Sequence, residues 1–482
     1  MTGAMLLAVL LAAWVNPGNL GNIDTTRRLR LAHSWWTETP EVLPGEYPSF
    51  GSAGRGGVLR TIFGVGQPLI LFPIDVAVTP LVERLQLPPA AREAVVAFLM
   101  QSFVACMLIL AAYSLLRRLQ FDHWESACGT LALLLGTTAL HYVQNAQENL
   151  LMAALAMGGT AMLFKWREEE DGRALLWAGC LFGYSLLVRL TTLADLGAAA
   201  LTLILLERRR ALRALPRFAL AYGAFVLLER LVQFVRFGNW TRTYYSGVID
   251  GSHTAHASKT LFWYPFWKGI AAALWLPKDS IFLFDPLLAV TLALLIVFWK
   301  RISSVVRCYA AGALASLAVY VLFYATYQSP TGEASWGDRY VSTPVLLLAL
   351  PAVPLMLRLF GRLPLWGWVV VGWSVLLQLS SLAVIMAVEL VQSRAANLPE
   401  TIGMRFLNMW LIWKGEAATS DLFLKLPPEW RTWNFLPFQM KLRYPELARY
   451  GVFVWWLLWA AWAAQAARLL HAASRWREAS RK

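Results

Sequence analysis

The sequence contains few charged residues for its length. Only 15% of its 482 residues are charged, whereas 58% are hydrophobic, and a soluble domain of this size carries roughly a quarter charged residues. The period-two alternation that marks membrane barrel strands is not visible. Long apolar blocks, each close to or above the roughly 20 residues that a membrane-crossing helix needs, lie at 94–116, 280–299, 305–326, 341–357, 364–391 and 449–467. These observations exclude a soluble domain and predict an all-α polytopic membrane protein.

Cysteine is also scarce, with four residues in the whole chain. All four lie inside or beside apolar blocks, at Cys106, Cys128, Cys180 and Cys308. Their spacing fits neither a disulfide framework nor a metal-binding motif. We therefore interpret them as packing residues.

Acidic residues are outnumbered by basic ones, which gives a formal net charge of +14. A basic chain can bind nucleic acid, but membrane proteins also retain Lys and Arg in their cytoplasmic loops because positive charge resists translocation. The second explanation fits the short basic clusters between apolar blocks, so we expect no nucleic-acid partner. The clusters are 117–118, 165–173, 208–213, 300–307, 358–362 and the tail 468–482.

Placing every basic cluster in the cytoplasm predicts twelve membrane helices with both termini inside, in a plasma (inner) membrane. The run Met5–Val15 lacks a basic flank and a clear cleavage site, so it is predicted to be a short first helix rather than a signal peptide. The twelve predicted helices are 3–16, 94–116, 124–141, 148–164, 174–189, 192–206, 216–236, 280–299, 303–326, 340–357, 364–392 and 448–470.

The same topology divides the chain into three parts. Residues 1–392 form a transmembrane core that includes a first extracytoplasmic loop, 17–93. Residues 393–447 form a further outward segment, and residues 448–482 form the last helix and a basic tail. Within the first loop, the apolar stretch 64–78 is interrupted by prolines, which favours short interfacial helices over a full membrane span.

Several charged residues are candidates for chemistry, and each also has an ordinary explanation. Asp24 could be a general base or a turn and capping residue after the first helix. Arg189 lies within an apolar block, where a charge costs about 3 kcal/mol or more and therefore indicates a function. Its ordinary explanation is a position in a short loop between two helices. Glu148 opens a helix, where negative charge suits the helix dipole. Lys278 and Arg339 lie on outward loops and could simply form surface ion pairs.

Six motifs occur in order along the chain: Asp24 followed by Ala32-His33-Ser34-Trp35, Gly64-Val65-Gly66-Gln67-Pro68-Leu69, Gln144–Leu150, Gly183–Arg189, Leu274–Pro286 and Trp336-Gly337-Asp338-Arg339-Tyr340. Together they resemble motifs of the GT-C superfamily of polyprenyl-phosphate-dependent glycosyltransferases, such as protein mannosyltransferases and lipid A aminoarabinose transferases. The resemblance covers residues 20–345, and the C-terminal third is similar only in topology.

The resemblance implies an inverting transfer of a sugar from a polyprenyl phosphate to a lipid, glycan or protein acceptor outside the membrane. It makes Asp24 the general base and Glu148 a second acidic site residue. Arg189, Lys278 and Arg339 become candidates for binding the donor phosphate. A divalent cation stays open, because Thr25 occupies the position where many members of the superfamily carry a second acidic residue.

Two other functions are compatible with a polytopic chain. A secondary transporter or a flippase of lipid-linked saccharides would place ionisable residues near the middle of the membrane. A non-catalytic scaffold would leave Asp24 and Arg189 replaceable. The clustering of charges at the outward helix ends favours the enzyme.

Overall fold

The computed structural model describes residues 2–47, 49–246, 262–332, 335–396, 402–442 and 444–479. Three predicted outward loops, 237–279, 327–339 and 393–447, are therefore described only in part. Their segments 247–261, 333–334 and 397–401 lie outside the described residues.

Helices make up nearly all of the secondary structure. In chain order they are α1 (Thr2–Val15), α2 (Ile23–His33), α3 (Gly66–Arg84), α4 (Pro89–Arg118), α5 (His123–Gly136), α6 (Ala139–Asn145), α7 (Glu148–Glu169), α8 (Gly172–Val188), α9 (Leu193–Phe237), α10 (Phe266–Leu274), α11 (Ile281–Phe284), α12 (Pro286–Phe298), α13 (Ser304–Tyr324), α14 (Ser342–Ala349), α15 (Ala352–Phe360), α16 (Leu365–Ala383), α17 (Ala387–Ala396), α18 (Ile402–Lys414), α19 (Asp421–Leu424), α20 (Leu436–Met440) and α21 (Pro445–Ala479). Short 3-10 helices lie at Pro44–Glu46, Arg55–Gly57, Leu190–Thr192, Trp299–Arg301, Glu416–Ala418 and Pro428–Arg431.

The described part of the chain contains six helical segments that are long and apolar enough to cross a bilayer. They are Pro89–Arg118, Leu190–Phe237, Ser304–Tyr324, Ser342–Phe360, Leu365–Ala383 and Pro445–Arg477. Helices α5 and α6, bent by 60° relative to each other, would add a seventh. The prediction of an all-α polytopic membrane protein is confirmed, while the count of twelve crossings stays a prediction.

The first loop folds into two helices and a hairpin. β1 (Gly51–Ala53) and β2 (Leu59–Thr61) pair antiparallel, and α3 is one helix of 19 residues despite Pro73 and Pro80. The expected short helices are therefore joined into a single one. Asp75, buried in α3, accepts hydrogen bonds from Trp36 at 2.9 Å and Thr79 at 2.9 Å and pairs with Arg92. This network fastens the C-terminal end of α2 to α3 and α4.

One predicted helix boundary agrees with the structure and another differs. The predicted separation of helices 192–206 and 216–236 corresponds to a kink within α9 at Glu207 (φ −144°, ψ 54°), which divides α9 into two helical parts. The predicted helix 124–141 breaks at Thr137 and Thr138, where buried Asp285 accepts hydrogen bonds from the backbone N–H (2.7 Å) and hydroxyl (3.1 Å) of Thr138. Gly136 lies directly before this break, but the hydrogen bonds that Asp285 accepts come from a distant part of the sequence.

The helices give the bundle two distinct ends. Gln465 donates to the carbonyl of Gly3 at 3.0 Å, and Trp455 donates to that of Trp14 at 2.8 Å, so α1 and α21 run antiparallel. Both chain termini therefore lie at one end, called here the termini end. Gln144 donates to the carbonyl of Val15 at 3.0 Å, which places the α6–α7 turn at the opposite end, called here the turn end.

Candidate active site

Asp24 lies in the first turn of α2, at the turn end of the bundle. The helix is capped by Asn22, whose side-chain oxygen accepts the Asp24 backbone N–H at 2.7 Å. The preceding Gly21 has φ +71°, and a side chain there would collide with Asn145. The capping role considered for Asp24 thus belongs to Asn22, which leaves the Asp24 carboxylate, 18% exposed, available for other contacts.

The Asp24 carboxylate lies between two arginines. Its oxygens are 3.2 Å from Arg339 Nη1 and 3.5 Å from Arg27 Nη1. Burial pushes the pKa of Asp24 upward, but the positive charges of Arg339, Arg28 and Arg27 outweigh burial and hold this pKa below its ordinary value. Asp24 is therefore ionised in the resting protein.

Glu148 occupies a similar position between two other arginines. It is the first residue of α7 and only 6% exposed. Its carboxylate oxygens lie 2.6 Å from Arg28 Nη1 and 3.4 Å from Arg189 Nη2. Since Arg27 and Arg28 are neighbours on α2, the helix connects the two carboxylates through adjacent residues.

Arg189 follows the last residue of α8 and has extended backbone angles. Its guanidinium lies 5.2 Å from the centre of the Tyr340 ring, a distance typical of a cation–π contact. Tyr340 in turn stacks on Tyr324 with ring centres 4.2 Å apart. The Nη1 atom of Arg189 is buried and has no hydrogen-bond partner within the described residues. Arg189 therefore retains donor capacity despite its ion pair with Glu148.

Arg339 is fixed mainly through its backbone. Its N–H donates to the carbonyl of Thr331 at 3.1 Å, and its own carbonyl accepts from the side-chain amide of Asn149. The same amide donates to the hydroxyl of Ser342 at 2.8 Å, so α7 and α14 both support this loop. The Nε atom of Arg339 is buried without a hydrogen-bond partner in the part of the chain that the structure describes.

The four arginines and two carboxylates form one connected cluster with an excess of two positive charges. Its members are Asp24, Arg27, Arg28, Glu148, Arg189 and Arg339. Buried N–H groups without partners are costly, and an uncompensated buried charge is costlier still. An anion in this cluster would supply both the missing acceptors and the missing charge. The arrangement thus has the chemistry of an anion-binding site with two carboxylates at its edge.

The glycine motif of the first loop positions this cluster. Cβ atoms added at Gly64 and Gly66 would lie within 2.6 Å of the backbone of Leu187 and Val188, so only glycine lets α3 approach the end of α8 so closely. Gln67, the next residue, donates to the carbonyl of Ala146 at 2.6 Å. The motif therefore sets the distance between the Arg189 and Glu148 segments.

Two other sequence-predicted features behave differently. Lys278 is exposed and lies in the loop after α10, and its role as a phosphate ligand stays a prediction. Asp338, which replaces the expected proline, is buried and accepts from the backbone N–H of Tyr340 at 3.0 Å and Val341 at 3.4 Å. It therefore shapes the loop that carries Arg339.

Sequence reasoning missed the arginine partners on α2. Arg27 and Arg28 were not among the candidate site residues, yet both are buried. Glu46 was missed as well; it lies 3.0 Å from Arg27 and 2.5 Å from Arg30. One sequence feature could have indicated these partners: four basic residues lie between 27 and 33, directly after the candidate base Asp24.

The question of a metal ion depends on the ligands that the site offers. The described residues contain no group of three or more His, Cys, Asp or Glu side chains that could hold a metal. At the cluster itself, Asp24 and Glu148 are each flanked by two arginines. Coulomb repulsion by these guanidinium groups disfavours a divalent cation and favours an anion.

One protein-family model matches this chain. The model of glycosyltransferase family 87 matches residues 79–330, just over half of the chain. The matched region contains Glu148 and Arg189, while Asp24 and Arg339 lie outside it. No curated protein sequence matches the chain. The predicted resemblance to membrane glycosyltransferases is thereby confirmed.

Proposed function

This chain belongs to glycosyltransferase family 87, and from that premise we propose that it transfers a sugar from a polyprenyl phosphate, with inversion, to a lipid, glycan or protein acceptor. Asp24 is the general base of this reaction. Arg189 and Arg339 hold the donor phosphate, and Glu148 positions the arginines around it.

The observation that carries this proposal is the excess of positive charge, together with buried guanidinium N–H groups on Arg189 and Arg339 that have no hydrogen-bond partner among the described residues. A phosphodiester suits the planar fork of a guanidinium group, since its two non-bridging oxygens can accept two N–H hydrogen bonds at once. When the bond between the sugar and the phosphate breaks, the phosphate gains negative charge. Fixed cations around it stabilise that charge as it develops.

One base is sufficient for this chemistry. The acceptor hydroxyl attacks the anomeric carbon, and its proton passes to Asp24. The bond from the anomeric carbon to the phosphate oxygen breaks, and its electron pair leaves with the polyprenyl phosphate, which needs no proton. Attack from the side opposite the phosphate inverts the anomeric centre. A second carboxylic acid to protonate the leaving group, as in glycosidases, is therefore unnecessary.

The resting ion pair of Asp24 with Arg339 explains how a strongly acidic carboxyl can serve as a base. A base with a lowered pKa accepts a proton poorly. A bound donor phosphate competes for Arg339, removes much of its positive field from Asp24, and so raises the basicity of the carboxylate. The base thus becomes effective only when the donor is present, which disfavours proton uptake without transfer.

The bundle geometry supports an active site outside the cell membrane with both termini inside. Asp24 and Glu148 lie at the turn end, whereas both chain termini lie at the termini end. The C-terminal helix and the preceding loops at that end carry the basic clusters, which the positive-inside rule assigns to the cytoplasm. The site therefore faces the extracytoplasmic side of a plasma (inner) membrane.

A transporter or flippase of lipid-linked saccharides is the alternative. That class of protein would hold its ionisable site near the membrane midplane between matching broken helices. Here the cluster lies at helix ends, and the family match is to transferases. Both observations favour the enzyme.

The test is transfer of radiolabelled sugar from a panel of polyprenyl-phosphate sugars by the purified protein. Asp24→Asn should lower transfer by about 10²–10⁴-fold, the usual contribution of a general base. The matched control is Asp171→Asn, which makes the same change at a partly exposed residue, the N-cap of α8, and it should retain native transfer. Equal transfer by the native and Asp24→Asn proteins would remove Asp24 as the base.

A further inference from the structure

Two adjoining cavities lie at the termini end of the bundle, away from the Asp24 cluster. Their volumes are about 870 and 570 Å³, and they share Leu357, Gly361 and Arg477 in their walls. Neither cavity contacts the cluster proposed for catalysis. Their combined size is that of a site for a sizeable ligand.

The larger cavity is a mostly apolar groove between two helices. Its sides are the beginning of α16 and the end of α21, and Trp124 of α5 contributes to its wall. The walls include Leu365, which is 83% exposed, and Trp368, which is 64% exposed. Apolar side chains this exposed near the end of a membrane helix are expected to contact lipid.

The smaller cavity is polar and carries a surplus of positive charge. Two of its arginines already have carboxylate partners: Arg358 pairs with Glu125 at 2.5 Å, and Arg477 lies 3.5 Å from Asp122. Arg117 also lines this cavity, and it donates to a backbone carbonyl rather than to a carboxylate.

Arg362 adds a further positive charge beside the shared wall. It is exposed, lines the larger cavity, and makes no ion pair with a carboxylate among the described residues. With Arg117 it leaves two positive charges unbalanced where the polar cavity meets the apolar groove.

We propose that these joined cavities bind an anionic phospholipid of the surrounding membrane. The phosphate lies between Arg362 and Arg477, and an acyl chain follows the groove between α16 and α21 over Trp124. Charge complementarity accounts for the headgroup, since basic pockets between membrane helices bind anionic lipid headgroups. The exposed Trp368 and Leu365 are the expected contacts of the acyl chain of the lipid, because a soluble phosphate would leave this apolar wall uncovered.

The experiment is native mass spectrometry of the purified full-length protein with phosphatidylglycerol or phosphatidylcholine at equal concentration. Phosphatidylglycerol should bind the native protein more tightly. The Arg362→Gln/Arg477→Gln variant should lose about thirtyfold in affinity, or about fivefold for each arginine removed near a membrane surface. Its binding of phosphatidylcholine should stay unchanged.

The matched control is Arg208→Gln/Arg209→Gln, which removes two exposed arginines near the break in α9, and it should bind phosphatidylglycerol within twofold of the native protein. Arg362→Gln alone, at an exposed side chain without an ion pair, keeps the test decisive if the double variant fails to fold, and it should lose about fivefold. Equal losses in control and cavity variants, no loss in either, or displacement of the lipid by millimolar inorganic phosphate would overturn the proposal.

Discussion

Replacing Glu148 by glutamine tests the charge balance of the cluster. Glu148 is only 6% exposed and lies 2.6 Å from Arg28 and 3.4 Å from Arg189. Removing one partner of a buried ion pair costs about 3–5 kcal/mol, because the remaining charge stays buried without compensation. The glutamine oxygen can still accept one hydrogen bond, so we expect the lower end of this range, about 3 kcal/mol. In the variant the excess positive charge of the cluster rises from two to three.

This extra charge gives the prediction a second, more specific part. A polyprenyl phosphate that binds between the arginines restores the missing negative charge. It should therefore stabilise the Glu148→Gln protein by more than it stabilises the native protein, since a ligand that binds only the folded state stabilises it more when it binds more tightly. The assay is unfolding in mixed detergent micelles, with and without saturating polyprenyl phosphate.

Glu41→Gln is the matched control. Glu41 is also buried between two arginines, 2.5 Å from Arg60 and 3.1 Å from Arg236, but it belongs to the hairpin region of the first loop. Its variant should lose a similar amount of stability and gain no extra stabilisation from polyprenyl phosphate. The reasoning fails if Glu148→Gln is as stable as the native protein, or if the ligand rescues both variants equally.

Two further predictions concern the surroundings of Asp24. Because the pKa of Asp24 is lowered in the folded protein, the ion pair adds stability that is present above the unfolded-state pKa and is lost as pH falls through the folded pKa. Arg339→Gln should therefore raise the pH at which acid begins to unfold the protein, and circular dichroism across an acid titration measures this; an unchanged acid transition would contradict the ion pair. Asn149→Ala removes the donor to the Arg339 carbonyl and should lower both donor affinity and kcat, each about tenfold, because a displaced Arg339 holds the donor phosphate less well and stabilises its developing charge less. Native donor affinity and kcat in this variant would contradict the positioning role of Asn149.

Much of the fold could be predicted from composition and apolar block length. The predicted helices 94–116 and 303–326 overlap α4 and α13, and 364–392 covers all of α16 and the beginning of α17, because an apolar block of membrane length leaves the chain little alternative. The break of the predicted helix 124–141 at Thr137 and Thr138 could not be predicted. It depends on hydrogen bonds from Thr138 to Asp285, a residue that is far away in the sequence.

The candidate site was predictable only where a motif marked it. Asp24, Glu148, Arg189 and Arg339 were each suggested by a short motif, and the structure brings all four together. Their connection through α2 could not be predicted, because the pairing of Arg28 with Glu148 joins residues that are far apart in the sequence. Ion pairs of this range depend on the tertiary fold.

For Lys278 the role of phosphate ligand stays a prediction. Its loop position and charge suggested that role, but an exposed lysine on an outward loop has the same sequence pattern whether or not it contacts the site. Charge alone therefore does not identify site residues in a membrane protein whose loops are generally basic.

The most direct test of the central claim is to separate donor binding from transfer in the Asp24→Asn protein. The account predicts that this variant binds polyprenyl-phosphate sugar at least as tightly as the native protein, because the substitution frees Arg339 for the phosphate. It also predicts that kcat falls by about 10²–10⁴-fold. Loss of donor binding with kcat unchanged would contradict the account, since Asp24 would then hold the donor rather than take the proton.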